Sequence, residues 1–136
     1  MTVLKKHIWP LLQLDDAVDV VDIGANPIDG EARYQTLLDS GNARLVAFEP
    51  QEKGFEALRA NQMTHTTILP YAIGDGTNQT FYQCYAPGMS STLKPDQEWL
   101  HFMLGFDQWG TVKETTSLKT HRLDDLVEVN NIDFLK

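Results

Sequence analysis

Hydrophobic positions along this chain fall in short blocks separated by polar turns. Residues 17–23, AVDVVDI, form a short apolar run that stops at Gly24. Such a run predicts a strand buried in a parallel sheet. Tyr34, Leu37 and Leu38 then supply an apolar face, predicting a helix over 29–39 with Ser40-Gly41-Asn42 as its stop. Leu45-Val46-Ala47-Phe48 predicts a second strand, closed by Glu49-Pro50. A second helix is expected near 51–61, where Phe55 and Leu58 stand at i and i+3. Thr66 to Leu69 predicts a third strand. Pro70 has no N–H to give a ladder, so this strand should lie at a sheet edge or end there. Strand and helix alternating in this way predict a doubly wound α/β sheet.

The pattern changes after Tyr71. Asp75-Gly76 is a turn signal, and Thr80-Phe81-Tyr82-Gln83-Cys84-Tyr85 is rich in strand formers. Residues 86–91 read as a loop. Trp99, Phe102, Phe106 and Trp109 are spaced to line one face of a helix or broken helix, which Gly105 and Gly110 would weaken. That face is expected to pack as core over the sheet, the alternative being a lid that excludes water. Val112 to Thr120 predicts another strand. Asp124-Asp125 should cap a short helix running through Val129, and Ile132 to Lys136 begins a further apolar run. No repeat, low-complexity segment or linker divides the chain, so 1–136 is read as one domain.

Composition narrows the classes. The 136 residues suffice for one domain with a real core, and a 42% hydrophobic fraction with 22% charged residues is ordinary for a globular protein. A formal net charge of −8, with Lys5-Lys6 as the only basic doublet, disfavours nucleic acid as a partner. No window approaches the roughly 18 apolar residues of a membrane-spanning helix, so no membrane partner is expected. The start, MTVLKKHIWPLL, lacks the features of a signal peptide, and the single Cys84 fits a reducing compartment. A cytoplasmic location is the expectation. Cys84 reads as an inert buried thiol. The four dispersed histidines show no metal-ligand spacing, and no metal is assigned.

The chemistry gathers at the predicted carboxyl ends of the first two strands, where open α/β sheets bind ligands. Gly24 would allow a sharp turn and a close backbone approach, and a following helix would offer N–H groups to an anion. A dinucleotide turn needs G-x-G-x-x-G. Gly24-Ala25-Asn26-Pro27-Ile28-Asp29 lacks the second and third glycines, which disfavours a pyrophosphate and suits a smaller anion such as an amino-acid carboxylate. Glu49, closing the second strand, is placed to accept hydrogen bonds from both ribose hydroxyls of a nucleoside. Its other reading is an exposed acid at a strand end. NAD and S-adenosylmethionine (SAM) both fit that role, and the missing glycines favour SAM.

The ordered set VVDIGAN, VAFEP (Val46–Pro50), PYAIGDG (Pro70–Gly76), RLDDL (Arg122–Leu126) and the final DFLK resembles FkbM-type methyltransferases from about residue 17 onward. The resemblance implies a SAM-dependent enzyme with a Rossmann-like class I methyltransferase sheet, present here as strands 1–3 and the start of strand 4 with an added β-rich segment. It implies methyl transfer to a hydroxyl of a sugar or small natural product. Asp22, Gly24, Ala25 and Asn26 would line the methionine half of SAM, and Glu49, followed by Pro50, the ribose. Ala72 and Ile73, in a loop after the third strand, would lie against the adenine. Ser90-Ser91-Thr92 could wall the methyl group or form a solvated turn. The family continues after DFLK with Ile-Asp-x-x-Gly-x-Glu, so the chain is read as a C-terminally truncated, SAM-binding half without its general base. An apolar sheet edge left open would favour homo-oligomers. The alternative function is a non-catalytic SAM- or nucleoside-binding module or partner subunit.

Overall fold

Short apolar runs bounded by glycine or proline become parallel strands wherever helices connect them, and the first half of this chain follows that rule. A computed structural model describes residues 16–27 and 30–136. The N-terminal stretch read for a signal peptide, and Asp29 at the expected helix start, lie outside the described residues. The chain is mixed α/β and forms two compact units, Tyr71–Asp125 being one and the residues on either side of it the other.

The first unit carries β1 (Val18–Ile23), α1 (Gln35–Asp39), β2 (Ala43–Phe48), α2 (Glu52–Ala60), β3 (Thr66–Leu69) and β7 (Phe134–Leu135). Its four strands are parallel in the order β3-β2-β1-β7. The chain steps outward from β1 to β3 and then returns to the other side of β1. That reversal creates a switch point beside β1. Val20 and Val21 project to opposite faces and are each 1% exposed, so β1 is buried on both sides. One face packs Val20, Leu45 and Ala47 against Tyr34 and Leu38, with Leu58, Met63 and Ile68 beside them. β3 is the edge strand and stops at Leu69, where Pro70 could not continue the ladder. Phe134 and Leu135 are exposed on the opposite edge.

The expected helix over 29–39 is shorter, beginning only at Gln35. Gly30 has φ +87°, and a helix cannot propagate through a left-handed residue. The helix near 51–61 is found as α2, with Glu52 in its first turn and Arg59 in its last, both complementing the helix dipole.

The second unit is a sheet in the order β4-β6-β5, from β4 (Ala72–Ile73), β5 (Asn78–Cys84) and β6 (Val112–His121), with short helices α3 (Gln97–Phe102) and α4 (Phe106–Trp109). β5 and β6 are antiparallel, with an irregularity at Gln83/Cys84. Thr120, fully buried, ties the turn before β5 to β6: its hydroxyl donates to the Thr77 carbonyl at 2.8 Å and accepts the Gly76 N–H at 3.1 Å. The expectation that Trp99 to Trp109 packs as core is not met. Trp99 is 68% and Phe102 81% exposed, and Phe106 and Trp109 are exposed as well. Gly105, at φ +84°, breaks the run into two short helices, so the four rings form two local pairs instead of one stripe. The expected helix through Val129 is only a 3-10 turn at Leu123–Asp125. There the carboxylates of Asp124 and Asp125 lie about an ion-pair distance from Arg122, at 4.0 and 3.9 Å.

Candidate functional site

The turn after β1 is built by backbone geometry. Gly24 has φ +73°, which a residue with a side chain seldom adopts. That angle folds the chain back so that the N–H groups of Gly24 and Ala25 donate to the Phe48 carbonyl at 2.9 and 3.0 Å. A Cβ on Gly24 would meet nothing within 4 Å, so the requirement here is for the φ, and the space above the turn is open. Ala25 is buried and Asn26 half-buried beside it.

Glu49 follows β2 directly and is 1% exposed, which rules out the reading as an exposed strand-end acid. Its backbone N–H donates to Leu69, and its Oε1 accepts the Gln51 N–H at 2.7 Å across Pro50. Burial pushes the Glu49 carboxyl above the usual carboxylate range, against the pull of the Gln51 and Asn26 backbone N–H groups, and the Asp22 charge adds to the rise. Gly54 lets α2 approach this carboxylate. A Cβ there would come within 2.8 Å of Glu49 Cγ and 2.9 Å of Asn26 Nδ2.

Asp22, also 1% exposed, lies next to the turn. Its Oδ2 accepts the Tyr34 hydroxyl at 2.5 Å, and Lys136 Nζ donates to both carboxylate oxygens at 3.1 and 3.2 Å. Burial first, then the hydrogen bond to Asp22 and its charge, hold the Tyr34 phenol far above its ordinary range. Tyr34 therefore remains a donor. A cavity of about 480 Å³ opens at this point. Asp22, Asn26, Tyr34 and Lys136 line it together with Leu45 and Ile68, whereas Gly24 and Glu49 are not among its lining residues.

The structure thus brings Asp22, Gly24, Ala25, Asn26, Glu49 and Pro50 to the carboxyl ends of two adjacent strands. Ala72 and Ile73 are not in a loop. They form β4, paired with Thr120 and His121, because the Gly74 N–H continues the ladder to the His121 carbonyl. Ser90 and Ser91 are tied to β5: the Ser90 hydroxyl accepts the Cys84 N–H at 3.0 Å, and Ser91 exchanges backbone hydrogen bonds with Tyr82. Cys84 is buried, and burial raises its thiol above the ordinary range, as suits an unreactive side chain.

Three residues at the site have no role in the sequence-based reading. Gly54 could have been suspected, since glycine inside a helix is costly and usually has a packing reason. Tyr34 counts there only as an apolar residue, although a buried tyrosine hydroxyl needs a partner. Lys136 enters there only as the last residue of DFLK, with no role assigned.

Among the described residues no group of three His, Cys, Asp or Glu side chains could hold a metal, and no helix is long and apolar enough to cross a membrane. The family model of the methyltransferase FkbM domain matches residues 22–136, and the chain belongs to that family. No curated protein and no solved structure is significantly similar to it.

Proposed function

From this membership we propose that the chain carries the SAM-binding part of a methyltransferase of the FkbM type, acting on a hydroxyl of a sugar or small natural product. The observation that carries this reading is the pairing of the Gly24 turn with buried Glu49 at adjacent strand ends. The residues present suit SAM: the open space above Gly24 leaves room for a ligand against the backbone, and Glu49, 1% exposed in the free chain, would become a desolvated acceptor for ribose hydroxyls once the ligand displaces what covers it. Asp22, Ala25 and Asn26 stand on the side of the methionine half. Bound there, SAM would supply an electrophilic methyl group on its sulfonium. The chain's own part is to hold the nucleoside in one orientation and keep water from it, which is where much of the rate of such transfers arises.

Calorimetric titration with SAM and with NAD tests this. SAM should bind and NAD should not, and Glu49→Gln should weaken SAM by about ten- to a hundredfold, a charged hydrogen bond being worth roughly 1.5–3 kcal/mol. No binding at millimolar SAM would end the cofactor reading. Binding without transfer from labelled SAM to any hydroxyl acceptor would favour a non-catalytic binder.

The raised Glu49 carboxyl gives a pH signature. Ribose donors favour its ionised form, so SAM affinity should fall as pH drops through the raised value, and Glu49→Gln should flatten that profile. Stability of the free protein runs the other way. A carboxyl raised on folding binds its proton more tightly when folded, so stability falls as pH rises from the ordinary Glu range through the raised value. Glu49→Gln should remove this slope in thermal melts across pH.

A further inference from the structure

We propose that Lys136 is the residue that receives the carboxylate of the cofactor's amino-acid half, held in place by Asp22 and Tyr34. This rests on the SAM reading above and names the group that would read the methionine part. An amino-acid carboxylate at the first turn of such a sheet is ordinarily met by N–H groups of a helix that starts there. Among the described residues the α-helix begins only at Gln35, after left-handed Gly30, with a 3-10 residue at Pro27, and the turn lacks the second and third glycines of a dinucleotide loop. A side-chain cation beside this turn would add a full charge to the N–H groups that the backbone offers an anion.

Lys136 is placed to be that cation. Its backbone is locked at the carboxyl end of β1, donating to the Val21 carbonyl and accepting the Ile23 N–H, each at 2.9 Å. Its ammonium spans both oxygens of Asp22, and the Tyr34 hydroxyl donates to Oδ2 of the same carboxylate. An ammonium has three donors, and Asp22 takes two of them. Asp22 is sealed from solvent, whereas the Lys136 side chain is 49% exposed and lines the cavity beside Asn26. The accessible charge of the pair is thus positive, and the buried acid is its anchor. Arg33, exposed, also lines this cavity and is the rival cation.

Titration of the full chain with S-adenosylhomocysteine and with 5′-methylthioadenosine, which lacks the amino-acid part, separates the roles. Lys136→Gln should weaken S-adenosylhomocysteine by about ten- to a hundredfold, the loss expected of one charge-assisted hydrogen bond. It should leave methylthioadenosine within about twofold, Lys136→Arg should recover most of the affinity, and Arg33→Gln should change neither ligand by more than about twofold, as for a surface site. Unchanged S-adenosylhomocysteine binding in Lys136→Gln overturns the proposal. Equal loss of both nucleosides does so too, since it would reduce Lys136 to a support of the fold, and loss at Arg33 instead would transfer the role. A wild-type chain that binds neither nucleoside removes the SAM reading and this inference together.

Discussion

The two units bury their strands differently, and the difference explains where the candidate site lies. In the parallel unit, consecutive residues vanish from solvent: Val20, Val21 and Asp22 on β1, then Ala47, Phe48 and Glu49 at the end of β2. In the other unit, β6 runs for ten residues and only Thr120 is buried. A parallel sheet is covered on both faces, so a polar residue at a strand end is held by packing all round it. The antiparallel pair is open to water along most of its length. Asp22 and Glu49 gain their altered environments from the first arrangement, and the second offers no comparable setting for an acid.

Substitutions can break this contrast, the largest effect coming first. Phe48→Ala empties a fully buried position in the parallel sheet and should cost about 3–5 kcal/mol in denaturant unfolding. A loss below about 1 kcal/mol would mean that the unit lacks the tight packing described. Thr120→Val keeps the shape of the one sealed position of β6 but removes its hydroxyl, stranding the Gly76 N–H while the Thr77 carbonyl keeps the Thr120 backbone N–H. The expected cost is about 1–3 kcal/mol, and a neutral outcome would show the hydrogen bonds to be dispensable. Phe102→Ser alters a ring that is largely in water and should shift stability by no more than about 0.5 kcal/mol. A larger loss would show that the ring has a partner in solution and that the exposed character of this unit is incomplete.

Much of the fold was legible because its signals are local. The apolar runs ending at Gly24, Glu49-Pro50 and Pro70 mark strands whose order follows from the helices between them. Gly30 misled the first helix reading, because apolar spacing cannot report a left-handed backbone angle, whereas Gly105 breaks the aromatic helix that it was expected to weaken. The aromatic spacing from Trp99 to Trp109 was real as a pattern but carried no information on whether anything covers it. Ala72 and Ile73 became a strand because β6 offered a ladder from far along the chain.

The sequence by itself determined the parallel strands, their turns and the family, since apolar runs, glycines and prolines act on their immediate neighbours. Only the tertiary structure decided that Glu49 is sealed from water and that Asp22 is shared by Tyr34 and Lys136. The Asp22–Lys136 contact joins positions 114 residues apart, and it exists because β7 returns to the free side of β1. No local pattern records such a meeting, because a carboxylate's environment is set by whatever the folded chain brings to it.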